Sequence, residues 1–402
     1  MKIFYISNMC SPQKFLEFSS SCIVKPEQAS QKFNFLLFSG LFKIHKDVTA
    51  ISTLPVNRTR SKEIWFKGQK EIYEGMKFIY SPIINFPIFK HIFNFIFVCF
   101  ILFKNSLKNK DIIYICDALN LTSSLAVLFI SKILRGKTIA ILTDVPSIAD
   151  YDSFNKSFSK RMFRNIYNKI TEYTFDMYNA YIFLTLKMNE LINKKNKLYI
   201  IVEGLVDIKQ QSILNTTKDK YEKKIIIYAG ALREKYGVDK LIRAFIKVKN
   251  KEAELWFYGL GELEPKIKEY QINDKRIKYF GMQPNHIVEE NERKATLLVN
   301  PRPTKEKFTA YSFPSKNMEY MVSGTPVLTT KLAGIPEEYL EHVYLFEDES
   351  IQGFIKTIEK ILEKNKEELY DKGSKAKEFV LLNKNNIEQA KKVITLINSI
   401  KK

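Results

Sequence analysis

Residues 308–328 read FTAYSFPSKNMEYMVSGTPVL and hold the densest chemistry in the chain. A Phe-Pro-Ser-Lys turn opens a short helix carrying one acid, Glu319, and Ser-Gly-Thr-Pro ends it before an apolar strand. The start of a helix offers backbone N–H groups, here those of Ser315 and Lys316, and its dipole favours negative charge. With the Lys316 ammonium beside them and a carboxylate one turn inside, the segment suits a ligand that joins phosphates to a ribose.

Such a site needs elements to hold it. Two series of apolar runs alternate with amphipathic stretches, the pattern of parallel sheets covered by helices. The first series is 3–6, 112–115, 138–142, 180–184 and 199–201; the second is 225–229, 255–258, 277–280, 297–300, 326–328 and 343–346. At 402 residues the chain exceeds one ordinary core. The fold class is therefore α/β with two Rossmann-like, doubly wound domains: residues 1–207, a polar linker at 208–224, and residues 225–380. A last helix over 381–402 either packs on its own domain or crosses back to the first. Open α/β sheets bind ligands at the carboxyl ends of their strands, so the active site is expected where the two sheets face a central cleft.

Composition excludes several classes. Hydrophobic residues at 45% and aromatics at 13% rule out a disordered chain. The four cysteines form no Cys-x-x-Cys pair and the four histidines lack metal-ligand spacing, so no metal site is read from them and reduced thiols are expected. The N-terminal apolar run stops before Ser7, too short for a signal peptide, which points to a cytoplasmic protein. Residues 91–103 (HIFNFIFVCFILF) are short of the roughly 20 apolar residues of a membrane span; they read as a buried helix or as one lying in the membrane surface. Net charge is +20, with 28 Lys+Arg against 16 Asp+Glu in residues 1–207 and 36 against 28 in the remainder. A basic first half fits an anionic partner, whether lipid, a pyrophosphate-linked acceptor or nucleic acid, although a Lys/Ile/Asn-rich composition also raises charge.

Residues 224–347 resemble the donor-binding half of a family 4 retaining glycosyltransferase with the GT-B fold. The resemblance runs through IIIYAG at 225–230, REKYG at 233–237, WFYGLG at 256–261, YFG at 279–281, NPR at 300–302, residues 312–328 and AGIPE at 333–337. In the first half it rests on strand pattern and on TDVP at 143–146. The resemblance implies that Glu319 grips the ribose hydroxyls of a nucleoside-diphosphate sugar. It implies too that Arg233, Lys235 and Lys316, with the Ser315 amide, stabilise the leaving diphosphate. Gly230 would let the backbone approach that diphosphate, and Gly281 with Met282 would hold the base. The family often has a second acid eight positions before Glu319; here that position is Tyr311, which cannot carry negative charge at neutral pH, so sugar recognition must differ. Asp144, at the end of a first-domain strand, either orients a reacting group or caps a turn; Gln31 and Lys32 are expected on the acceptor side. Asp150-Tyr-Asp152 resembles the acid pair that holds a divalent ion in the other glycosyltransferase architecture, GT-A, but the duplicated strand series argues against that fold, and no metal cofactor is expected.

The activity implied is retaining transfer of a hexose to a glycan hydroxyl, with a polyprenyl-pyrophosphate-linked saccharide of a capsule or exopolysaccharide pathway as acceptor and a peripheral position at the inner membrane face. Two rivals stand beside it. One is a non-catalytic nucleotide- or glycan-binding partner, suggested by Tyr311; the other is a nucleic-acid binder, which the charge alone suggests and no motif supports.

Overall fold

The computed structural model describes residues 1–23, 28–107, 109–149 and 158–401. The chain divides into two compact units, Met1–Leu205 with Asn386–Lys402, and Val206–Asn385.

The first unit runs β1 (Lys2–Ser7), α1 (Pro12–Ser20), α2 (Gln28–Ile44), β2 (Val48–Ser52), β3 (Trp65–Phe66), β4 (Gln69–Tyr73), β5 (Met76–Tyr80), β6 (Ile83–Ile84), α3 (Pro87–Ser106), β7 (Ile112–Asp117), α4 (Leu121–Leu134), β8 (Lys137–Leu142), α5 (Pro146–Ala149), α6 (Phe158–Phe175), β9 (Ala180–Phe183), α7 (Leu186–Ile192) and β10 (Tyr199–Ile201). Its main sheet has the order β10-β9-β8-β7-β1-β2-β5-β4 and is parallel except for the β4–β5 hairpin; β3 and β6 pair separately. All five expected strands form, because runs such as IIYICD are buried on both faces, as a helix-covered parallel sheet requires. The sheet also recruits segments outside those runs. β2 (VTAIS) is wholly buried although Thr and Ser interrupt its apolar pattern. β4 and β5 join through Glu74 and Gly75, both at positive φ (47° and 79°), the hand that matches a hairpin's twist.

The second unit runs β11 (Lys224–Ala229), α8 (Val238–Phe245), β12 (Ala253–Tyr258), α9 (Glu264–Asn273), β13 (Ile277–Gly281), α10 (Asn285–Lys294), β14 (Leu297–Asn300), α11 (Ser315–Ser323), β15 (Val327–Thr329), β16 (Tyr344–Leu345), α12 (Ile351–Leu362) and α13 (Lys366–Asn383). Its sheet, β13-β12-β11-β14-β15-β16, is parallel throughout. The order reverses between β11 and β14, and in the first unit between β1 and β7. These are the topological switch points where open α/β sheets take ligands.

The polar segment 208–224 is packed on the second unit. Asn215 Nδ2 donates to Ser323 O at 2.7 Å, and Lys220 Nζ donates to Arg293 O, Ala295 O and Thr325 Oγ1 at 2.7, 3.1 and 2.8 Å. The last helix, α14 (Asn386–Lys401), belongs to the first unit. Its Ala390, Val393, Leu396 and Ile397 share a core with Leu37, Phe38 and Leu41 of α2. Gly40 permits the approach, since a Cβ there would lie 1.9 Å from Asn386 O.

Candidate functional site

The second unit's switch point is assembled by α11. Tyr320 is fully buried; its hydroxyl accepts from Ala229 N at 2.8 Å and so fixes the helix beneath the end of β11. Three residues earlier, Asn317 Oδ1 accepts from Asn300 Nδ2 at 2.7 Å, which anchors the start of the helix to the end of β14. The α11 N-terminus, with Ser315 and Lys316, therefore sits at the carboxyl ends of β11 and β14. Lys316 and Glu319 meet one another, Nζ to Oε2 at 2.5 Å, one helical turn apart. The cation expected on phosphate and the acid expected on ribose are thus an ion pair.

The loop after β11 carries Gly230, Arg233 and Lys235. Gly230 N donates to Tyr258 O and Gly259 N to Gly281 O, at 3.0 and 2.8 Å, so the ends of β11, β12 and β13 form one continuous rim. Gly259 makes the rim possible: its φ is +120° and a Cβ would stand 2.0 Å from Gly230 O. Arg233 precedes the short 3-10 turn Glu234–Tyr236, and Lys235 Nζ lies 5.7 Å from the Tyr236 ring centroid. Beyond this rim, Met282 follows β13 and is about half exposed, beside Phe280 stacked on Tyr258. Tyr311 ends the 3-10 turn Lys307–Tyr311, only partly buried.

The sequence alone assigns Arg302 no role. This residue follows β14, and its guanidinium packs 4.8 Å from the Tyr236 ring and 5.5 Å from Phe308. Its Nε is buried with no hydrogen-bond partner, and no carboxylate lies within ion-pair distance among the described residues. Burial holds its pKa below the usual arginine value. Two cations, Lys235 and Arg302, thus lie near the Tyr236 ring in the turn that follows β11. The only signal in the sequence was the Asn-Pro-Arg run, and nothing local says that this arginine turns inward to Tyr236.

The first unit's switch point carries a polar cluster. Thr53 Oγ1 donates to Asn8 Oδ1 at 2.6 Å, and Asn120 Nδ2 donates to Asn8 Oδ1 at 2.8 Å and Thr53 Oγ1 at 3.1 Å. Beside it Asp117 ends β7, buried, with its carboxyl pushed up to about 6 by desolvation, while Leu119 N donates to it at 3.3 Å. Asp144 follows β8, exposed, and accepts from Val145 N at 2.8 Å, a turn-capping contact. Gln31 is buried: its Oε1 accepts from Cys10 N at 2.9 Å and its Nε2 donates to Asn8 O at 2.5 Å, so its amide shapes the loop after β1 instead of projecting to a ligand. Lys32, next to it on α2, is partly exposed. Asp150 to Asp152 lie outside the described residues. A groove of about 370 Å³ lined by Leu214, Asn215 and Lys377 lies by Gly324, at the opposite end of α11 from Ser315, and is no part of either switch point.

Residues 209–379 match the family model described as glycosyl transferases group 1. No curated protein matches the chain. Among solved structures, sucrose-phosphate synthase from Thermosynechococcus elongatus aligns over 100% of this chain and 99% of its own at 12% identity and a TM-score of 0.68. Anabaena HepE in complex with UDP covers 99% of this chain and 100% of its own at 12% identity, TM-score 0.64. The lipopolysaccharide outer core galactosyltransferase WaaB covers 99% of each at 15% identity, TM-score 0.63. These likenesses show the fold: two Rossmann-like domains of the GT-B kind.

Proposed function

We propose that the protein is a retaining, metal-independent glycosyltransferase that moves a hexose from a nucleoside-diphosphate sugar to a glycan hydroxyl, with a polyprenyl-pyrophosphate-linked saccharide as acceptor. The observation that carries the reading is the meeting, at the β11–β14 switch point, of the α11 N-terminus, the Lys316–Glu319 pair and the loop bearing Arg233 and Lys235. Glu319 binds the ribose diol, and Lys316 neutralises that acid in the absence of donor, then turns to phosphate. Arg233, Lys235, Arg302 and the Ser315 and Lys316 amides stabilise the diphosphate as it departs. The diphosphate, on the same face as the incoming hydroxyl, assists its deprotonation, and no second carboxylate is required. Asp144 and the Asn8–Thr53–Asn120 cluster bind the acceptor.

The test is calorimetric titration with UDP, GDP and ADP and their glucose derivatives, followed by a turnover assay. UDP comes first, because HepE was solved with UDP and with UDP-glucose. Glu319→Ala removes two charge-assisted hydrogen bonds, about 3 kcal/mol together, and is expected to weaken donor binding about a hundredfold. Unchanged affinity refutes the role of Glu319. Tight donor binding without product favours the second reading, a non-catalytic glycan- or nucleotide-binding partner, for which Tyr311 in place of an acid is the motive.

A further inference from the structure

We propose that α3, α4 and α6 form one apolar face that adsorbs to an anionic lipid bilayer. This goes beyond the sugar-transfer reading and does not depend on it.

Each of the three helices leads into a strand of one parallel run, β7, β8 and β9, so all three run in the same direction. α3 packs against α4, and α4 against α6. On α3 the side meeting α4 holds His91, bonded to Thr122 at 2.8 Å, Phe95, whose ring is 6.2 Å from that of Phe129, and Cys99. One position on, about 100° round the helix, stand Ile92, Ile96 and Phe100, with Phe103 continuing the line. On α6 and the turn after it, Thr174 and Tyr178 meet Ser124 of α4. One position back stand Tyr173 and Met177, in line with Ile166 and Ile170. α3 and α6 flank α4 from opposite sides, so a step forward on one and a step back on the other turn to the same side. On α4 itself Leu125 follows Ser124, in line with Phe129 and Ile133. These eleven side chains are 39–69% exposed. Single exposed apolar residues are ordinary, but three aligned rows are not.

Charge selects the occupant. Lys104, Lys132, Arg135 and Lys137 are exposed where α3 and α4 end and β8 begins, and neither helix carries an acid. Asp111, just before β7, is already paired with the N-terminal amine and Lys401. On the α6 side, Glu172 accepts from Ser147 N and Asp176 pairs with Lys195. An apolar face with a cationic margin matches acyl chains beneath anionic headgroups. α3 is long and apolar enough to cross a membrane, with 28% of its 18-residue apolar window buried. Its inner side nevertheless contributes fully buried Val98 and Leu102, which argues for lying flat.

The test is flotation of the full chain with phosphatidylcholine vesicles, with and without phosphatidylglycerol, at low and high salt. Wild type is expected to float with the phosphatidylglycerol vesicles at low salt. Ile96→Glu/Phe100→Glu/Phe129→Glu is expected to lower partitioning at least about a hundredfold, and Lys104→Ala/Lys132→Ala/Arg135→Ala to lower it about a hundredfold and weaken its salt dependence. All six positions are exposed, and unchanged circular-dichroism melts would show that both variants fold. Wild type remaining unbound at low salt, or either variant floating as wild type does, overturns the proposal. So does a wild-type dimer in light scattering that the apolar variant dissociates while vesicle binding is absent, because the face would then belong to a second copy.

Discussion

Asp117→Asn offers a sharp test of how the first unit's switch point is built. The carboxyl is buried at the end of β7, and burial pushes its pKa from 3.8 to about 6, while Leu119 N pulls weakly the other way. A carboxyl raised in the folded state holds its proton better there than in the unfolded chain. Its contribution to stability is therefore fully present below the unfolded value near 3.8 and is lost as pH rises through about 6. A rise of about two pKa units corresponds to about 3 kcal/mol of destabilisation above neutral pH. Asparagine keeps an oxygen for Leu119 N and never ionises. The variant should exceed wild type by up to about 3 kcal/mol in urea unfolding at pH 8, with the gap closing through about pH 6 and absent below about pH 4. A gap independent of pH, or a variant weaker than wild type at pH 8, would refute the account. A stabilised variant that loses transfer activity would identify the acid as one kept for chemistry at a cost in stability.

Gly259→Ala forces a Cβ against Gly230 O at φ +120°, so the melting of the second unit should fall by the equivalent of about 3 kcal/mol; an unchanged transition would mean the rim can move aside. Arg302→Met removes a buried, unpartnered Nε while keeping bulk against Tyr236 and Phe308. Calorimetry should report about tenfold weaker binding of UDP or whichever diphosphate the titration identifies, with stability unchanged or raised; equal affinity would make Arg302 a packing residue.

Much of the architecture was open to reading because parallel strands buried on both faces must be continuous apolar runs, as IIIYA of β11 and LLVN of β14 are. The α11 segment was equally legible, since Pro314 before Ser315 and Gly324 after Ser323, at φ +77°, mark both ends of a helix by local conformation alone. Its Lys316–Glu319 pair follows from spacing on one helix. What local pattern could not supply were facts that depend on which faces meet. β2 is a strand because its neighbours β1 and β5 bury it, whatever its Thr and Ser suggest. α14 returns to the first unit because its apolar side finds α2 where Gly40 leaves room, a choice the 381–402 pattern left open. Arg302 reaches Tyr236 from a distant part of the chain, and the rows on α3, α4 and α6 become one surface only when three crossovers lie side by side. Periodicity belongs to each segment alone and so survives in the sequence; the pairing of surfaces is a property of the whole fold, and only the folded chain chooses it.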